Sequence, residues 1–314
     1  MSAKLLQSKS DYQNFLSEFD TFLFDCDGVL WNGTKLLPNV SQTLSFIRSK
    51  GGIVLTLENV NYKIGKKIAF VTNNSSKPRE EYQKKFMNLG LKVELNEIFN
   101  SSYSAALYLK NVVKFPTEKK VYVLGEEGIE KELDRQGIKY VGGTDPIDRR
   151  DITPKDFEDL ELDPSVGAVL CGLDLHINYL KYSKALKYLQ NKNTLFLVTN
   201  SDSTYPTSEG LFPGAGSCSA PLLFASERKA VFLGKPNIEM LQAIESAFKF
   251  NKSKTCFIGD RIDTDILFAK KSGIKSCLVL TGISKEEDIF KNTSNVVPDY
   301  YIKMLGDLFD ANEL

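Results

Sequence analysis

Thr21-Phe22-Leu23-Phe24-Asp25-Cys26-Asp27-Gly28-Val29-Leu30 decides how the rest of the chain is read. A short apolar run closed by a turn residue reads as a buried strand. Two aspartates, one residue apart, stand at its end, and glycine follows at once. Side chains at i and i+2 on a strand share a face. Asp25 and Asp27 are therefore expected to converge at the carboxyl end of the strand, where open α/β sheets bind ligands. Two crowded carboxylates repel each other unless a cation or a shared proton relieves them.

Working outward, strand-like and helix-like segments alternate, which predicts a mostly parallel sheet with helices on its faces. Strands are expected at 68–72, 120–124, 139–141, 166–171, 195–199, 231–233, 255–258 and 276–280. Helices are expected near 40–49, from Ser76 to Gly90, and at 101–110, 128–136 and 178–190. Residues 144–164 read as a loop, and the Gly/Pro-rich stretch 206–216 as a hinge. The fold class is α/β, a Rossmann-like parallel-sheet core with an inserted α/β cap. The core is read over 1–104 and 208–314 and the cap over 105–207. One stretch does not fit. Connections of this kind usually take about 2–6 residues, yet Gly51 through Gly65 separate the helix ending at Lys50 from its strand. Residues 53–57 are strand-like and 58–63 patternless. The plain reading of 52–65 is a surface excursion or extra edge strand. The sharper one is a short intron carried into the coding sequence, since Gly-Ile and Ile-Gly can be encoded with intron-like boundary bases.

Composition bounds the function. The chain has 314 residues, 42% hydrophobic and 25% charged, with forty basic residues balancing forty acidic ones. Net charge gives no reason to expect nucleic acid or an anionic membrane as partner. No apolar stretch approaches the roughly 20 residues of a membrane span, and the start lacks a signal-peptide apolar region. Five scattered cysteines suit free thiols in a reducing compartment. The cytoplasm is the expected location, with the nucleus as the alternative.

Four motifs follow in order: Asp25-Cys26-Asp27-Gly28-Val29, Val71-Thr72-Asn73-Asn74-Ser75, Gly234-Lys235-Pro236, and Ile258-Gly259-Asp260-Arg261-Ile262-Asp263-Thr264-Asp265. If their strands are neighbours in a parallel sheet, the motifs meet at one edge. The set suits phosphoryl transfer. Asp25 could attack phosphorus, and Asp27 could protonate the leaving oxygen and then deprotonate water. Asp260 could complete an oxygen site for Mg2+. Thr72, the amides near it and Lys235 could hold phosphate oxygens. An isolated Asp-x-Asp is usually a turn or a cap; four motifs in order carry the signal.

These motifs resemble those of the haloacid dehalogenase superfamily. Within it, the chain is similar to the 4-nitrophenylphosphatase and phosphoglycolate phosphatase family, in which the cap is inserted between the second and third motifs. The likeness extends to residues 123–128, 168–174, 213–217 and 280–282, and covers nearly the whole chain except 52–65. It implies Asp25 as nucleophile and metal ligand. Asp27 would be the acid/base, with its main-chain carbonyl on Mg2+, and Asp260 the third protein ligand. Asp265 would stand behind them, and Thr72, Asn73, Asn74 and Lys235 would bind phosphate. Asp27 favours a phosphatase or phosphomutase over the dehalogenases and transport ATPases of the superfamily. Specificity in capped relatives comes from cap loops, here residues 199–206. Relatives that prefer pyridoxal phosphate carry histidine where Tyr205 stands, which makes Tyr205 a candidate substrate contact and favours a small phosphorylated acid such as 2-phosphoglycolate. The expected partner is thus a small phosphorylated metabolite, with no nucleic acid and no membrane; homodimerisation through the cap is common among relatives.

Other readings stay beside these. A non-hydrolytic binding protein that kept the fold, a pyridoxal phosphatase and a protein phosphatase are the alternatives. Cys26 should point into packing, and Trp31 should pack against the core or line the site entrance. Asp263 reads as a helix-start residue. His176, the sole histidine, is expected on a cap loop. The basic run 181–192 reads as an amphipathic helix with a solvated face.

Overall fold

The computed structural model describes residues 3–50, 53–57, 60–207, 209–291 and 296–312. Their contacts divide the chain into two compact units, Met1–Thr72 with Gln83–Ile98 and Phe248–Leu314, and Asn73–Tyr82 with Phe99–Ala247. The sequence reading drew its boundaries elsewhere, because helix Ser101–Leu107 and residues 215–233 pack on the sheet of the second unit: Ala105, Ala106, Leu222 and Leu233 lie in that unit's apolar clusters.

The first unit is built on sheet strands ordered Lys4–Leu5, Tyr300–Ile302, Lys275–Val279, Thr255–Gly259, Thr21–Phe24, Lys67–Thr72. The registers of these six strands are all parallel. Thr21–Phe24 is flanked on both sides and buried along its whole length, as expected of a central parallel strand covered on both faces. The terminal strands escape sequence reading because two or three residues are too short to show a period. Helix Lys9–Glu18 opens on Ser8 in a reciprocal cap with Asp11, which supplies two of the otherwise orphaned N–H partners.

The second unit carries a five-stranded parallel sheet ordered Tyr140–Gly142, Lys120–Leu124, Val166–Cys171, Leu195–Val198, Val231–Phe232. Alternation is visible in its packing. Val121 and Val123 join Ala168 and Leu170 in one cluster with Ile129 and Leu133 of helix Glu127–Gln136. Tyr122 and Leu124 join Val169 and Cys171 on the other face with Ala185 and Leu189 of helix Tyr179–Leu189. Successive strand residues point to opposite faces, so each face is covered by a helix.

Three local readings change. Of the stretch 206–216, expected as a hinge, residues 206–207 and 210–213 belong to two antiparallel strands, Thr204–Thr207 against Gly210–Pro213. The expected loop 144–164 contains a 3-10 turn, Pro146–Asp148, and a short helix, Pro154–Glu158. Both open on proline, which suits a first helical position because its missing N–H is not needed there. In the region of the insert, Ile53–Leu57 is a strand as expected, but Val60–Ile64 is a strand too, pairing with it antiparallel. Gly51, Gly52, Glu58 and Asn59 lie outside the described residues. No helix among the described residues is long and apolar enough to cross a membrane.

Candidate active site

In the first unit, strand Thr21–Phe24 lies beside Thr255–Gly259 with Phe24 opposite Ile258. One step on, Asp25 N–H donates to the Ile258 carbonyl at 2.9 Å. This register brings Asp25 to where the chain leaves the neighbouring strand through Asp260. Carboxylate oxygens of Asp25, Asp260 and Asp265 lie within 4.8 Å of one another, with Asp260 and Asp265 buried.

Main-chain donors hold two of the three acids. Asp265 Oδ2 accepts from the N–H groups of Asp260 and Arg261 at 3.0 and 3.1 Å, and Asp260 Oδ2 accepts from Ile283 N–H at 2.7 Å. Space is made by absent side chains. A Cβ on Gly28 would stand 2.6 Å from Asp260 Oδ2, and the left-handed φ of +79° there also favours glycine. A Cβ on Gly282 would collide with the same carboxylate, and one on Gly259 with Asp265. Three carboxylates so close repel one another, and an all-oxygen set of this size fits a hard divalent cation such as Mg2+.

Asp27 stands apart from this group. The strand ends at Phe24, so the alternation expected to align Asp27 with Asp25 does not continue through the turn. The Asp27 side chain is 62% exposed and 3.7 Å from Lys85 Nζ. Its Oδ1 accepts from the Nε1–H of Trp31 at 2.7 Å. Lys85 also lies over the Trp31 ring, 4.1 Å from its centroid, a distance at which the ring attracts a cation. Trp31 is buried against Phe86. Lys85 gave no sequence signal, being one lysine among several on a charged helix. Asp265, expected behind the metal ligands, contributes an oxygen to the group itself. Asp263 is exposed and pairs with Arg261 at 2.7 Å, which holds its carboxyl below the ordinary range. Thr72 is buried at the end of strand Lys67–Thr72.

In the second unit, Asn73 and Lys235 are joined directly. Lys235 N–H donates to Asn73 Oδ1 at 2.8 Å, and Asn73 Nδ2 donates to the Lys235 carbonyl at 3.0 Å. Asn74 Oδ1 accepts from both the N–H and the hydroxyl of Ser76, each at 2.9 Å. Tyr205 lies in the 204–213 hairpin opposite Phe212, with ring centroids 6.4 Å apart. His176 is exposed, and its N–H donates to Asp174 Oδ1 at 2.8 Å. Lys181 departs from the expected solvated face: it is fully buried, 2.7 Å from Asp174 Oδ2 and 2.9 Å from the Gly143 carbonyl. All five cysteines are buried, and none is in a disulfide. Burial pushes the thiols of Cys171, Cys256 and Cys277 well up, leaving them protonated packing groups.

Comparison with known proteins follows the same lines. Residues 22–139 match the haloacid dehalogenase-like hydrolase family, and residues 232–308 match a second profile of HAD-like hydrolases. The 4-nitrophenylphosphatase of Schizosaccharomyces pombe is 50% identical over 310 residues, covering 98% of this chain and 99% of that one. Phosphoglycolate phosphatase 2 of Arabidopsis thaliana is 40% identical over 314 residues, covering 99% of each. Among solved structures, glycerol phosphate phosphatase from Mycobacterium tuberculosis, in complex with magnesium, aligns with a TM-score of 0.74 at 27% identity, over 93% of this chain and 77% of that one. The chain belongs to the haloacid dehalogenase-like hydrolases.

Proposed function

We propose that this protein is a magnesium-dependent phosphomonoester hydrolase of small phosphorylated metabolites that also cleaves 4-nitrophenyl phosphate. The observation that carries the reading is the group of Asp25, Asp260 and Asp265 oxygens within 4.8 Å of one another at the end of the central strand. The names of full-length relatives support the phosphatase class, and the magnesium complex of a structural neighbour supports the metal.

Asp25, Asp260 and the main-chain carbonyl of Asp27 would hold Mg2+, with Asp265 beside them. The bound ion would screen the carboxylates from the incoming phosphate and draw charge from its oxygens. A carboxylate oxygen of Asp25 attacks phosphorus as the ester P–O bond breaks, giving an aspartyl phosphate. The leaving oxygen takes the proton from Asp27. Water then attacks the same phosphorus, gives its proton to Asp27, and the bond to Asp25 breaks, releasing phosphate. Thr72, Asn74 and Lys235 are assigned phosphate oxygens, and Tyr205 a place against the leaving group. A 2-phosphoglycolate-like acid is the first choice of substrate.

Purified protein with Mg2+ is expected to hydrolyse 4-nitrophenyl phosphate. Asp25→Asn should lower kcat by about a thousandfold or more, the scale of losing a nucleophile. Full activity in that variant removes Asp25 from the role. A panel of 2-phosphoglycolate, glycerol phosphate, pyridoxal phosphate and a phosphotyrosine peptide then ranks the substrate classes.

A further inference from the structure

We propose that Asn73 is a positioning residue that clamps the main chain of Lys235, and that Asp202 sets the direction of its amide. Hydrogen-bond capacity carries the argument. An asparagine amide has two N–H hydrogens and one oxygen. The Oδ1 of Asn73 accepts from Lys235 N–H at 2.8 Å. Its Nδ2 donates to the Lys235 carbonyl at 3.0 Å and to the Asp202 carboxylate at 3.2 and 3.3 Å. Both hydrogens are thereby committed, and the side chain has no donor left for a phosphate oxygen. The amide cannot turn over. Reversed, its oxygen would face a carbonyl and a carboxylate, and its NH2 would face an N–H.

The clamp is itself anchored. The Asn73 carbonyl accepts from Asn200 Nδ2 at 2.7 Å and from the Ser101 hydroxyl at 2.5 Å. Asn200 Oδ1 takes the N–H of Asp202 at 3.0 Å. Lys235 and Asn200 are 3% and 4% exposed, so these bonds face little competition from water. A lysine brings a point charge on a flexible stem. Holding its root at both main-chain groups limits where that charge reaches.

This inference rests on the reading of Lys235 as a phosphate-binding cation, and the experiment separates the two. Inorganic phosphate is the probe, measured as an inhibitor of 4-nitrophenyl phosphate hydrolysis at saturating Mg2+. Asn73→Ala should raise its Ki by about tenfold, the worth of one or two hydrogen bonds. Lys235→Ala should raise it further. The two together should match Lys235→Ala within about twofold, because Asn73 acts through Lys235. If the two factors multiply in full, Asn73 meets phosphate by itself and the clamp is wrong. If Lys235→Ala leaves Ki unchanged, the reading of Lys235 falls and the clamp falls with it. A second pair guards against a folding defect. Asn73→Asp sets two carboxylates against each other and should raise Ki more than Asn73→Ala. Adding Asp202→Asn to Asn73→Asp restores a donor between the two positions and should recover part of that excess, the oxygen set against the Lys235 carbonyl remaining. No recovery, with thermal unfolding unchanged, overturns the role of Asp202.

Discussion

The two units bury charge in opposite ways. The second closes two of its buried acids in pairs. Arg79 and Glu132 are almost wholly buried, with Nε 3.1 Å from both carboxylate oxygens, and Lys181 and Asp174 are fully buried together. The first unit gathers three acids at the end of a strand, held by main-chain N–H groups and by the room that glycines leave. A closed pair is a scaffold, because each charge is already answered. A group of like charges suits a cation, because its stability improves when one arrives.

The largest effect should come from opening a pair. Glu132→Ala leaves the Arg79 guanidinium buried over the Tyr103 ring without its carboxylate, and should cost about 3–5 kcal/mol in chemical denaturation. A loss under about 1 kcal/mol, the worth of a surface pair, would erase the distinction between the units. Next comes the space in the first unit. Gly282→Ala drives a methyl against Asp260 and should raise the Mg2+ concentration for half-maximal activity by about 10–100-fold, the range for disturbed ligand support. An unchanged Mg2+ requirement would show that the acids can shift freely.

The hairpin of Ile53–Leu57 and Val60–Ile64 offers a third case, since its two strands form a sheet of their own. A Cβ on Gly65 would collide with the Arg48 carbonyl, so the chain after the hairpin passes close to the end of the preceding helix. Removing residues 51–64 should therefore change stability by about 1 kcal/mol or less, measured by denaturation. A collapse of the fold would make the hairpin part of the core. A spliced transcript containing these codons would sink the idea of a retained intron.

The smallest effect concerns a half-buried pair in the second unit. The Lys120 ammonium, with Ser165, holds the Asp163 carboxyl down at about 2. A depressed acid stabilises the fold above its unfolded value of about 3.9, and that contribution is lost as pH falls through the folded value. Carboxyl NMR should place the Asp163 midpoint near 2, and Lys120→Met should move it up. A midpoint already at the ordinary value would show that the pair is absent in solution.

Much of this was legible in one dimension. Lys120–Leu124 and Val166–Cys171 were read to the residue, because a buried parallel strand is a short, continuous apolar run bounded by polar residues. The four motifs were legible because each acid or lysine directly follows such a run. Less visible were the hairpin at 204–213, whose proline and glycine suggested a hinge, and Lys181, whose acidic neighbour lies seven residues away at Asp174.

The sequence by itself determined the order of the chemistry along the chain: nucleophile candidate, hydroxyl and amides, lysine, then two further acids; it did not show that the strand before the lysine, Val231–Phe232, lies in the other sheet. Periodicity and turn residues are local properties, so they survive in a linear reading. Only the tertiary structure decided which groups act together. It ended the first strand at Phe24, which sent Asp27 to Trp31 and Lys85. It also brought Asp265 up to Asp25 and Asp260, and tied the Asn73 amide to Lys235. Those outcomes depend on where strands stop and what lies across from them. Both are set in part by neighbours tens to hundreds of residues away, which local patterns do not report.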